Sequence, residues 1–400
     1  MVSVCRGVPA TWLAVTCVFC FRIAAAGPAA PQPQRIDLLT DLPAAGDLAA
    51  PANGQTLYVL DEANGQIVAI DPFEPGKRWT AVAAEQPQEN RQDDQQQRAT
   101  AVTLAIGCID TSMLAMLRRD RQDWSLHTHR LQPGVAADPN APAQRVVVGR
   151  AAGKAVDRTA GETDRADAAP TANRIAADVR ACLTVSPSRD WLGICGLPAP
   201  LPAVMRAPIA GARIGNVSAR GCPLFSGEVR PTVATISTAE ELVLFATAPD
   251  ERDPDERDPE KRDPEKRDSE KRDPGARAAT GTFVSFSLPP DPRRLLHLDT
   301  SLPEIRDAAF CRADGTLWVV GGGPTGESSG DPASATAPEG LWRIDAVLRN
   351  GRQAAVAVCV ARLEGAMALV CLSERAIIVT HGREARTVSR IDPTQPASKP

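Results

Sequence analysis

One pattern governs this chain: a short apolar strand, a polar turn, a strongly apolar strand, a loop, and a third alternating strand, recurring six times. The clearest copy is DLAAPANGQTLYVLDEANGQIVAIDP, from Asp47 to Pro72. DAAFCRADGTLWVVGGG, Asp307 to Gly323, is rejoined after a loop by GLWRIDAV from Gly340. ALVCLSERAIIVTHGREARTVSRIDP ends at Pro393. Weaker copies start at Val102, Cys182 and Thr232, and the third strand of the last of these resumes at Gly281. A further short apolar stretch follows every third strand except the last, as in RWTAVAA from Arg78 and AAVAVCVARL from Ala354.

Period-two alternation and β-branched content make these segments strands, not helices. Asn53-Gly54, Asn64-Gly65 and Asp314-Gly315 sit where tight turns need positive φ. Each unit is therefore a four-stranded antiparallel meander with two apolar faces, which cannot bury both alone. Six such units standing around an axis bury them against one another. The predicted fold is all-β: a six-bladed β-propeller. The last unit lacks a fourth strand, and the surplus strand RIDLLTDLP, Arg35 to Pro43, lies near the N-terminus. It is expected to pair with the strand around Thr387–Ile391 and close the ring, the alternative being an unpaired leader segment.

Composition agrees. Gly 29 and Pro 35 argue against a helical bundle. A formal net charge of −4 provides no field for nucleic acid or an anionic membrane surface. Residues 1–26 read as a secretory signal peptide, with Arg6, an apolar run from Trp12 to Phe21, and small residues Ala24 to Ala26. The run is too short to span a bilayer, and no membrane span is expected after cleavage. An uncleaved anchor is the other reading. The expected location is extracytoplasmic, secreted or periplasmic. Residues 27–34 form a linker, 35–393 the propeller and 394–400 a tail.

Low-complexity insertions interrupt the propeller at 85–99, 151–178, 250–280 and 323–340. Asp250 to Pro274 consists of five tandem pentads of the type DERDP and EKRDP. They hold twelve acidic and eight basic residues, a net −4 that equals the formal charge of the whole chain. Regular proline and no apolar residue keep the segment out of helix, sheet and core. Two readings stand: a charged arm for a protein or cell-surface polymer, or duplication on a tolerant loop.

The L-P lead-in, the D-G-x-L-hydrophobic-V core and the I-D-P ending resemble six-bladed propellers of the NHL and strictosidine-synthase/gluconolactonase type, over roughly Arg35 to Pro393. That resemblance implies a site at the central channel, where a lactonase would gather acidic and amide side chains around a metal. With Leu57, Leu114, Leu317 and Ile377 taken as equivalent, the positions ten earlier are Asp47, Leu104, Asp307 and Met367. Arg180 and Arg230 are the counterparts in the other two units. Two acids, two arginines and two apolar residues do not make an oxygen-rich cage. Asp47, Asp307 and Arg180 are the channel candidates for binding. No catalytic residue, metal ligand or cofactor is assigned, and no Ser-His-acid arrangement stands out.

Seven of the ten cysteines lie beyond the signal. Cys108, Cys311 and Cys371 each precede an aligned position by six residues and read as small residues packing between blades. Cys182 and Cys195 flank the Pro187–Asp190 turn symmetrically and should face each other across a hairpin, either as a disulfide or as a reduced pair. His127 and His129 share a strand face, read as solvated. Asn216-Val-Ser218 is a glycosylation sequon. The sequence thus favours a non-catalytic binding or scaffolding module of unknown ligand. The alternative is a metal-dependent lactonase- or lyase-like enzyme with its site at the channel mouth.

Overall fold

The computed structural model describes residues 33–84, 101–150, 181–219, 231–247, 282–287, 298–300, 302, 304–322, 338–349, 352–372, 376–382 and 385–396. The signal segment, the pentads and the other insertions lie outside the described residues, apart from the last few of the 323–340 stretch. No α-helix occurs among the described residues.

After an opening strand, β1 (Pro33–Leu39), sheet 1 contains β2 (Ala45–Ala49), β3 (Leu57–Asp61), β4 (Gln66–Ile70) and β5 (Arg78–Val82). Sheet 2 contains β6 (Val102–Asp110), β7 (Met113–Asp120), β8 (Asp123–Arg130) and β9 (Gln144–Arg150). Sheet 3 has β10 (Cys182–Val185), β11 (Trp191–Cys195) and β12 (Val204–Ala210), then two short pieces, β13 (Arg213–Ile214) and β14 (Ser218–Ala219). Sheet 4 comprises β15 (Val233–Ile236), β16 (Leu242–Thr247), β17 (Thr282–Ser287) and β18 (Leu298–Thr300). Sheet 5 comprises β19 (Ile305–Phe310), β20 (Leu317–Gly321), β21 (Gly340–Arg349) and β22 (Arg352–Arg362). Sheet 6 joins β23 (Ala368–Cys371), β24 (Ile377–His381) and β25 (Thr387–Pro396) to β1.

The first strands touch in cyclic order: β2 with β6, β6 with β10, β10 with β15, β15 with β19, β19 with β23, and β23 with β2. This is a propeller ring of six sheets. Its closure is the predicted one, with Arg35 opposite Ile391, Asp37 opposite Ser389 and Leu39 opposite Val388. The final sheet thus holds strands from both ends of the chain.

Period-two alternation explains why the second strands are apolar throughout. In β3, Leu57 and Val59 pack towards sheet 6 with Leu372 and Ile378, while Tyr58 and Leu60 pack towards sheet 2 with Ile106 and Met116. The same division recurs around the ring, so each of the six junctions between neighbouring sheets has its own hydrophobic cluster. Burying each Leu or Val there contributes roughly 1.5–3 kcal/mol. The predicted turn glycines adopt left-handed backbone: Gly54 at φ 64°, Gly65 at 65° and Gly315 at 71°. Arg189 and Glu240 adopt the same conformation with no glycine to signal it, at φ 64° and 63°.

Two local readings need correction. ARIGNVSA, from Ala212, is the short apolar stretch that follows the third strand of the unit starting at Cys182; its pattern predicts one fourth strand, but it splits into β13 and β14. Gly215 between them donates its amide to the Pro208 carbonyl at 2.8 Å, and a Cβ there would lie 2.7 Å from Pro208 Cγ. His127 and His129 are buried, not solvated, at 8% and 1% exposure. The segment after β8 crosses to sheet 1, where the Ala137 amide donates to the Ala81 carbonyl at 2.8 Å, and Leu131 and Ala137 join the cluster between the two sheets.

Candidate functional site at the ring axis

The six innermost strands enclose a cavity of about 140 Å³. Asp47 and Asp307 line it. Arg180 and Arg230 lie outside the described residues. Leu104 and Met367 do not line the cavity. Leu104 packs into the cluster between sheets 2 and 3, beside a bulge in β6, and Met367 precedes β23. Sheets 2 and 6 reach the axis first through Ile106 and Leu369.

That offset has a physical basis. The Ile106 amide donates to Asp47 Oδ2 at 2.8 Å, and the Leu48 amide to Oδ1 at 2.8 Å. Asp307 of sheet 5 accepts at Oδ2 from the Leu369 amide of sheet 6 at 2.7 Å, and at Oδ1 from the Ala308 amide at 2.8 Å. Each carboxyl therefore bridges from its own inner strand to the inner strand of the next sheet, satisfying an amide that would otherwise lack a partner. Desolvation raises the pKa of Asp47 well above the carboxylate range; the Asp307 charge adds to this and the two amides oppose it. Desolvation likewise raises Asp307 to about 7 against its two amide donors.

The donor set does not fit a divalent ion. All four carboxyl oxygens already accept backbone bonds, and most other lining groups are apolar side chains or thiols. Among the described residues, no three His, Cys, Asp or Glu side chains come together as a metal cluster.

Beyond the acids, Cys108, Cys182 and Cys371 line the cavity. Cys311 does not: it packs between sheets 5 and 6 beside Trp318. The reason is hairpin length. Cys108 pairs with Leu114 and Cys371 with Ile377, whereas Leu317 pairs with Phe310, so the same count back from Leu317 lands on the opposite face. Arg312 lines the mouth at the turn ends of the inner strands. Desolvation and the Arg189 charge lower its pKa, and Glu240 opposes them. Glu240 ties sheet 4 to sheet 3, accepting from the Ser188 amide at 2.6 Å and from Trp191 Nε1 at 3.1 Å.

The ring closure contains a constellation that the sequence did not reveal. Ser389 Oγ donates to Asp37 Oδ1 at 2.5 Å, and His381 Nε2 lies 2.7 Å from Ser389 Oγ. Asp37 is lowered in pKa: burial would raise it, but the hydrogen bonds from Arg35 and Ser389 outweigh that. The serine proton is thus committed to the carboxylate and His381 Nε2–H donates to the serine, the reverse of the polarity that activates a nucleophile. Ser389 is fully buried, so this chain of bonds clasps β1 to β24 and β25.

No protein-family model matches the chain, nor does any curated protein. Solved structures do. A carbohydrate-active enzyme of family AA12 from Trichoderma reesei superposes with a TM-score of 0.53 at 11% identity, over 93% of this chain and 100% of that one. The allergen Mala s 1 of Malassezia sympodialis gives 0.47 at 12% identity, over 90% and 97%. A gluconolactonase of Xanthomonas campestris gives 0.43 at 14%, over 92% and 99%. Identities this low define a fold class, the β-propeller, and no activity.

Proposed function

We propose that this chain is an exported propeller that binds a partner and performs no chemistry at its axis. A kinship with NHL and strictosidine-synthase/gluconolactonase propellers fits the strand pattern. One observation carries the reading: every oxygen of the two axial carboxyls serves a backbone amide that joins or flanks adjacent sheets. The partner is a protein or a cell-surface polymer, met by the loops of one face.

A second reading has its own support. Asp307, poised near pH 7 on a cavity wall, has the protonation behaviour of a general acid for lactone hydrolysis. Metal analysis after dialysis, combined with an aldonolactone hydrolysis assay with and without calcium, separates the two. The binding reading predicts no stoichiometric divalent ion and no turnover above the Asp47→Asn/Asp307→Asn variant. A retained ion, or hydrolysis abolished by Asp307→Asn in a folded protein, overturns it.

A further inference from the structure

Cys182 and Cys195 are directly opposite each other at the end of the β10–β11 hairpin. Opposed residues in an antiparallel pair hold their Cα atoms about 4.5–5.5 Å apart, within the span a disulfide bridges. The side chains share a face, since both belong to the cluster between sheets 3 and 4. The Cys182 thiol lies within hydrogen-bonding reach of the Cys195 thiol. The other described cysteines lack this arrangement: Cys108 faces Leu114, Cys371 faces Ile377 and Cys359 faces Trp342. Accessibility is asymmetric, with Cys182 on the cavity wall and Cys195 fully buried. In the reduced state Cys182 Sγ also reaches the Ala234 carbonyl of sheet 4 at 3.2 Å.

We propose that Cys182 and Cys195 form a redox clasp that exchanges a contact between two sheets for a covalent bond within one. Oxidation removes the two thiol protons and two electrons and forms the S–S bond. A low-molecular-weight disulfide such as glutathione disulfide accepts the electrons and is cleaved to two thiols. The Cys182 S–H donor to Ala234 is lost, and β10 becomes fixed to β11 in the register that places it on the axis. The hydrogen bond with Cys195 and burial push the Cys182 thiol well above its ordinary pKa, so exchange in the folded ring is slow and the clasp closes most readily during folding. The proposal is independent of whether the axis binds or catalyses.

The test is to refold the full chain from urea in glutathione buffers of graded ratio, quench with acid, digest without reduction and map cysteines by mass spectrometry. The expected result is a single linked peptide pair joining Cys182 to Cys195, lighter by two hydrogens. Cys108, Cys311, Cys359 and Cys371 should remain open to alkylation after denaturation. Oxidation should also move the urea midpoint upward, a shift that Cys195→Ala abolishes. Free Cys182 and Cys195 at every ratio, Cys182 held as a mixed disulfide with glutathione while Cys195 stays free, or a different linkage would each overturn the proposal.

Discussion

Two pairs of ionisable residues, one at the axis and one on β8, are enclosed by the same ring on opposite terms. Asp47 and Asp307 open onto the cavity and give all four oxygens to backbone amides. His127 and His129 are enclosed between sheets, their ring centroids 6.4 Å apart. Among the described residues, His127 Nδ1 and both nitrogens of His129 lack a hydrogen-bond partner; His127 Nε2 meets Ser125 Oγ at 3.0 Å. Desolvation raises the acids and lowers both histidines to about 4, with the Arg118 charge pushing the histidines the same way. In both places low dielectric favours the neutral form. The acids have a structural return for their enclosure, and the histidines have much less.

The pH dependences therefore oppose each other. A histidine with folded pKa near 4 contributes stability fully above its unfolded value of about 6.5, and loses it as pH falls towards 4. An aspartate with raised folded pKa contributes fully below its unfolded value of 3.8 and loses it as pH rises through about 7 for Asp307. The largest expected effect is thus acid-induced: between pH 7 and 4 the histidine pair costs the fold roughly 3 kcal/mol per residue. Urea unfolding of His127→Gln/His129→Leu should show a much shallower acid slope, and an unchanged slope would break the contrast.

Next in size, Asp307→Ala leaves two amides unpaired at the junction of sheets 5 and 6 and should cost about 2–4 kcal/mol by the same assay. Asp307→Asn keeps one acceptor and does not titrate, so its penalty should be smaller at pH 8 than at pH 5. A penalty that grows with pH would show the carboxylate to be favoured in its charged form. The smallest effect belongs to the closing clasp. Ser389→Ala removes the hydroxyl joining Asp37 to His381 and should cost about 1–2 kcal/mol, measured at pH 7.

The fold was legible because its signals are local and repeated. Alternation in strands such as Leu57–Asp61 reports two buried faces, and the missing fourth strand of the last unit points to Arg35–Pro43. The Cys182–Cys195 pairing followed from symmetry about one turn. What escaped depends on neighbours distant in sequence or on single-residue offsets. Alternation placed His127 and His129 on one face but could not show that a segment crossing to sheet 1 covers it. The Asp37–Ser389 bond spans 352 positions, and nothing near either residue announces the other. Cys311 packs between blades as its spacing indicated, but Leu104 was misplaced by a bulge in β6.

Amide hydrogen exchange at Leu369 tests most directly whether the axial carboxyls bind neighbouring sheets together. In the wild-type protein that amide should exchange as slowly as the central strands, and in Asp307→Ala it should exchange much faster while the Ile106 amide, held by Asp47, stays protected. Equal protection of Leu369 in both proteins would mean the carboxyl is not what joins sheet 5 to sheet 6, and would return Asp307 to the list of groups free for chemistry.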